Sequence, residues 1–361
     1  MELLCLLQGS VTVACVEGLL SVCESIGGED NLSAKLRRQS ASALVHLTSS
    51  NADIMEPLFE MIHSTAAKWQ SSKLHVGPRV LLFEVLVILC WLPKRQHLLP
   101  MLLTELLSAV SSMFDQCSPK IEEIGSSKQF AECMGLHLST AEEILSDKHV
   151  HTSNRASITS AVALLLVVLR RCKAGSGNSG NEAVRESLSV GAPCLIKVLS
   201  VYHFFQSLYS EPSISAAAKE ALDTEAVDWA QVNQIDSDMP ETDKKDPHTR
   251  LRSVLENAQQ QIQLVIANGA KIWPDLYHMP HLYERLSVKN LSQLPCTRQR
   301  LVIRQLLVPF VQHCPLSNID LGVQTISEVM SCCVSQLTQS WQKIEEVQIS
   351  KKQADLTLLL G

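Results

Sequence analysis

Apolar residues along this 361-residue chain recur at three- and four-residue intervals, in blocks of roughly 15 to 20 residues, the length of ordinary helices. Period-two alternation joined by tight two-residue turns, the signature of hairpins, does not organise any stretch. Periodicity and breakers together predict helices over 2–26, 32–48, 52–70, 78–92, 95–114, 128–147, 155–172, 193–209, 214–228, 249–273, 276–290, 298–314 and 318–346. The punctuation has the expected chemistry: "GGEDNLS" after the first block, Ser50-Asn51 before the third, Pro78 in "VGPR" near a helix start and "SNR" before the seventh. The fold class is therefore all-α. Two adjacent helices with their turns take roughly 40 residues, the period of arrays in which no single pair buries its own apolar face and neighbours stack. That period predicts an α-solenoid of HEAT-like antiparallel helix pairs, a segment of a right-handed superhelix.

Two polar segments interrupt the pattern. "KAGSGNSGNEA" (173–183) is rich in Gly, Ser and Asn, and "NQIDSDMPETDKKDP" (233–247) is polar and acidic. Both lack the apolar content to pack. They divide the chain into HEAT-like repeats over 1–232, with a Gly/Ser loop at 173–183, an acidic loop or domain linker at 233–247, further repeats over 248–346 and a tail at 347–361.

The formal charge is −6, which argues against a generic basic nucleic-acid-binding domain. Between Glu220 and Asp246, however, nine acids and two lysines give −7, so the remainder sums to +1. An anion-binding surface is then a local stripe on a nearly neutral body. Twelve cysteines are scattered without a Cys-x-x-Cys pair. Most sit among aliphatic residues at helical spacing, where a thiol acts as a small core hydrophobe, a usage that suits a reducing compartment. The segment "MELLCLLQGSVTVACVEGLL" lacks a positive n-region and is broken by Gln8 and Glu17, so it reads poorly as a signal peptide. The longest apolar run, Ala161 to Leu169, is nine residues against the ~20 that span a bilayer, so no membrane insertion is expected.

Motifs for catalysis are weak or missing. "GSGNSG" (175–180) matches G-x-G-x-x-G by letter, but a helix ending "VVLRRC" precedes it where a dinucleotide site needs a strand. His149 with His151, and His278 with His281, are the close histidine pairs; the second has the helical spacing of a metal pair, but Pro280 lies between its members and no nearby Cys or acid completes the set. Neither H-E-x-x-H nor G-x-S-x-G occurs. In "RQLLVPFVQHCPLSNID" the adjacent His313 and Cys314 suggest a dyad, yet neighbouring helical positions do not face one another. Pro315 disfavours helix at Cys314, and Ser317 with Asp320 resembles a capping box, so the stretch reads as a helix corner. No enzyme activity, cofactor, metal or small-molecule substrate is expected.

Basic residues recur in clusters on the predicted helices: Lys35, Arg37 and Arg38; Arg170 and Arg171; Arg300 and Arg304. Lys35 with Arg38, and Arg300 with Arg304, fall one turn apart on shared faces. They form either a solvated outer face, with Arg170 and Arg171 complementing a helix C-terminal dipole, or a stripe across successive repeats that follows a phosphate backbone without reading bases. Double-stranded RNA, whose base edges are hidden, is recognised in that way.

Several blocks, "NRASITSAVALLLVVLRRC", "CLIKVLSVYHFFQSLYSE", "SAKLRRQSASALVHL" and above all "RQRLVIRQLLVPFVQHCPLSNID" followed by "VSQLTQSWQKI", resemble in order and spacing the central-to-C-terminal half of the hairpin-RNA exportins of the karyopherin-β superfamily. The resemblance runs from about Leu32 to Ile344. It implies a HEAT superhelix that binds RanGTP and double-stranded or hairpin RNA, such as precursor microRNA and transfer RNA, contacts nucleoporins and shuttles between nucleus and cytoplasm. It also implies a partial chain, because nothing here resembles the N-terminal Ran-binding repeats of that family. The reading from a different class is a HEAT-type scaffold that binds only protein through its grooves.

Overall fold

The computed structural model describes residues 13–22, 31–70, 76–146, 150–174, 181–223 and 246–360. The chain is all-α, with no strand among the described residues. A short helix, α1 (Val13–Val22), is followed by α2 (Asn31–Ser50). After a helical lead-in over Ala52–Met55 and Glu56–Leu58 come α3 (Phe59–Gln70), α4 (Val76–Cys90) and α5 (Leu99–Asp115). Two short helices, α6 (Ser127–Cys133) and α7 (Ala141–Leu145), precede the long α8 (Val150–Ala174), then α9 (Asn181–Val190), α10 (Ala192–Ser207) and α11 (Ala216–Asp223). Beyond the acidic stretch lie α12 (Pro247–Ile272), α13 (Leu282–Arg285), α14 (296–312) and α15 (Ile319–Leu360).

The helices pack from neighbour to neighbour in two series. In one, α2 meets α4, α4 meets α8, α8 meets α12 and α12 meets α14. In the other, α3 reaches α5 through His63 and Glu105 (3.5 Å), α5 meets α10 and α10 meets α13. Cross-contacts α3–α4, α5–α8 and α10–α12 tie the series together around one continuous core. α5 shows why: Leu99, Leu102, Leu103, Leu106, Leu107, Val110, Met113 and Phe114 are buried at three- and four-residue spacing, a single apolar face. α8 has neighbours on several sides, and "AVALLLVVL" is accordingly buried or half-buried all round. Two stretches, Gln96–Asp115 and Val150–Cys172, are long and apolar enough by composition to cross a membrane, and much of each lies in this core.

Several boundaries differ from the sequence reading. The block expected over 128–147 is two helices, because the chain turns at Gly135 with φ +72° and again before Thr140, whose side chain and Glu143 form the capping box that starts α7. "SNR" is no helix start: α8 begins at Val150, and Asn154 and Arg155 lie in its first turns. Asn154 Nδ2 donates to the carbonyls of Ser118 (3.0 Å) and Cys133 (2.9 Å), while the Arg155 guanidinium donates to those of Met134 and Ile144. These two side chains satisfy carbonyls of the irregular 118–146 stretch, which also accepts a backbone bond from Ser215 N at Leu136 O. The block over 276–290 is a chain of short pieces, Pro274–His278, α13 and Val288–Gln293, with His281 and Ser287 at positive φ. α9, unassigned in the sequence, follows the Gly/Ser loop, whose residues 175–180 lie outside the described residues, as do 224–245 of the acidic stretch. α12 packs on α8, α10 and α11, so the chain on either side of the acidic stretch shares one core. Asn268-Gly269, a dipeptide common in hairpin turns, lies inside α12, where Asn268 Nδ2 donates to Leu264 O at 2.7 Å.

Candidate nucleic-acid interface

The helices that carry the predicted phosphate contacts all belong to the first series: Lys35, Arg37 and Arg38 on α2, Arg170 and Arg171 on α8, Arg300 and Arg304 on α14. Their side chains have different fates. Lys35, Arg38, Arg170, Arg300 and Arg304 are exposed. Arg37 is 2% exposed and continues the buried line of Ala41, Leu44 and Thr48 at i+4, i+7 and i+11. Arg171 is half-buried, and its guanidinium is spent on Glu84 of α4, with Nε 2.7 Å from Oε1. Arg37 and Arg171 are therefore corrected to interior and inter-helix roles. The available cations are the other five.

A turn of π-helix, Ile303–Leu307, holds Arg304 inside α14. The wider turn keeps Leu306, Leu307 and Phe310 buried together while Arg300 and Arg304 remain in solvent. Arg298, one residue before the buried Gln299, points inward and meets Glu256 of α12 at 2.5 Å. Burial raises the Glu256 carboxyl above its usual range, against the pull of Arg298 and Arg252.

Within the second series, α10 is tied to the end of α5 by a lysine that the sequence reading passed over. Lys197 of α10 is 5% exposed, and its Nζ lies 2.6 Å from Asp115 Oδ1 and 2.8 Å from Glu122 Oε1. Its ammonium is desolvated, yet the two carboxylates hold its pKa above the ordinary lysine value. The signal was a lone charge in the apolar run "CLIKVLSV". On the next turn but one, His203 Nδ1 lies 2.7 Å from Ser287 Oγ, and Arg285 donates to Ser200 Oγ (2.6 Å) and to Ile196 O (3.2 Å). Burial, with the nearby Arg285, lowers the His203 pKa against a backbone bond at Glu284.

His313 and Cys314 form the corner between α14 and α15. The Cys314 thiol donates to Asn318 O at 3.2 Å, and burial raises its pKa. Asn318 Nδ2 donates to Tyr277 O (3.1 Å), Tyr277 Oη donates to Phe310 O (2.6 Å), and the Tyr277 and Phe310 rings are 4.9 Å apart. The expected capping box is not made: Leu316–Asn318 is a 3₁₀ turn, Ser317 Oγ donates to Asn318 Oδ1 at 2.8 Å, and α15 starts at Ile319 with Asp320 in its first turn. Other thiols are core groups: burial pushes Cys90, Cys117 and Cys172 up to about 12, and Cys133 and Cys194 up to about 11. Of the histidine pairs, His149 lies outside the described residues, and His151 stacks edge-on against His137 and sits 3.3 Å from Cys133 O. No group of three His, Cys, Asp or Glu side chains among the described residues converges to hold a metal ion.

No protein-family model matches the sequence, and no curated protein matches it.

Proposed function

We propose that this chain is a segment of an exportin-type transport receptor of the karyopherin-β superfamily. It binds double-stranded or hairpin RNA through phosphate contacts and RanGTP through its helical surfaces, and it moves between nucleus and cytoplasm. The observation that carries the reading is the neighbour-to-neighbour stacking of α2, α4, α8, α12 and α14, backed by α3, α5, α10 and α13. That arrangement fits an α-solenoid of HEAT-like pairs, in which a repeated helix position presents side chains in register along the array. The five exposed cations Lys35, Arg38, Arg170, Arg300 and Arg304 ride on this one series, as a phosphate-tracking stripe requires. Directionality in such a receptor comes from Ran's nucleotide state, which shifts the affinity for cargo by linkage, so the chain itself needs no active site.

Recognition by A-form shape and phosphates predicts a preference for a hairpin over an unpaired strand of equal length. Fluorescence anisotropy with both RNAs, with and without RanGTP, tests it. Equal weak binding of the two RNAs contradicts duplex recognition. A protein-only scaffold is the second reading, and the exposed apolar side chains of α15 favour it.

A further inference from the structure

We infer that the outer face of α15 is a self-association surface whose occupant is the same face of a second copy of this chain. Eight apolar side chains recur every three or four residues from Ile319 to Ile344, among them Met330, Leu337 and Trp341, and each is 47–63% exposed. The opposite side of the helix is the one that packs on the body, through Thr325 (1% exposed) and Cys332 (8%). The stripe is therefore a second face, not the edge of the first. From Leu337 to Glu346 every side chain is exposed, so the helix there projects beyond the body that supports it.

Area and charge point to a second copy. The stripe is about 38 Å long at the helical rise. From the fractional exposures it presents roughly 800–900 Å² of mainly apolar surface, which is what each partner of a stable standard-size interface buries and more than a solitary soluble protein usually leaves in water. The side chains bordering its middle, Gln324, Ser327, Ser331, Ser335 and Thr338, are exposed and uncharged. Glu328 is half-buried and lies beside Tyr283. The remaining charges, Asp320, Lys343, Glu345 and Glu346, stand at the ends. Such a surface gives RNA or a charged peptide nothing to pair with, whereas a copy of itself meets matching apolar spacing without like-charge opposition through the centre. A two-fold pairing uses one patch twice and closes without exposing another.

This pairing does not depend on RNA binding and is measured without RNA. Sedimentation velocity of the full 361-residue chain in reducing buffer, where intermolecular disulfides cannot mimic a dimer, is expected to show a monomer–dimer equilibrium in the micromolar range. Met330→Glu with Leu337→Glu, two exposed positions, is expected to give monomer at the same concentrations with unchanged far-UV circular dichroism, while Lys35→Glu with Arg38→Glu leaves the dimer intact. A wild-type chain that stays monomeric through that range overturns the inference, including the case in which the two glutamates instead abolish binding of another protein. So does a dimer that survives them.

Discussion

At Gly135 the backbone turns left-handed with φ +72°, and a Cβ there would stand 2.8 Å from His151 Cβ. Gly135→Ala is expected to cost about 1–3 kcal/mol in urea unfolding, from the strained φ together with the crowding, without change in helix content. At His203 the argument concerns protons. Burial holds its folded pKa below the unfolded value, so the folded state takes up the proton later as pH falls. Its contribution to stability is complete above the unfolded pKa and is lost as pH drops through the folded one. The urea midpoint should fall on acidification below about pH 6.5, and His203→Gln should flatten part of that fall; an equally steep fall in the variant would place the titration elsewhere. Some residue fates were legible. Arg37 lies four residues before Ala41 and seven before Leu44, so helical spacing alone puts it on the buried line. The pairing of Arg171 with Glu84, 87 residues away in sequence, was not, because it depends on how α4 and α8 lie against each other.

Among the elements, the long helices follow from periodicity. α5, α10 and α12 carry single apolar faces, and their observed ends fall within a few residues of the spacing's prediction. The broken stretches do not follow from it. Between Ser118 and Ser146 the apolar residues are as frequent as in a helix, but buried carbonyls there are satisfied by Asn154 and Arg155, side chains of another element. Periodicity has no access to such a bond. The corner at 313–318 was legible as a corner because Pro315 dictates it, whereas its lock, Tyr277 between Phe310 and Asn318, comes from a distant short turn. The corner therefore supports an element-scale contrast. Phe310→Ala is expected to cost about 3–5 kcal/mol, because the ring is fully buried against Tyr277. Leu316→Ala, 86% exposed one turn later, is expected to stay within about 0.5 kcal/mol, and chemical denaturation of both variants checks the pair.

At the scale of the whole molecule, electrostatics decides the account. A chain of net charge −6 binds a polyanion only where its cations are gathered and its acids are elsewhere. Nine acids fall between Glu220 and Asp246 in the sequence, and the five exposed cations lie on α2, α8 and α14 of one series. The residue types were visible from the start. Which of the seven remain in solvent was legible only in part: spacing puts Arg37 on the buried line, whereas the fate of Arg171 depends on Glu84 of another helix.

The most direct test is hairpin-RNA affinity measured across salt for the wild-type chain and for a variant carrying Lys35→Glu, Arg38→Glu, Arg170→Glu, Arg300→Glu and Arg304→Glu. Five phosphate contacts predict that log K falls with log salt at a slope of about −4, that the variant loses most of both affinity and slope, and that Arg171→Ala changes neither. Absence of hairpin binding at low salt, with and without RanGTP, or binding that the five reversals leave unchanged, would contradict the account.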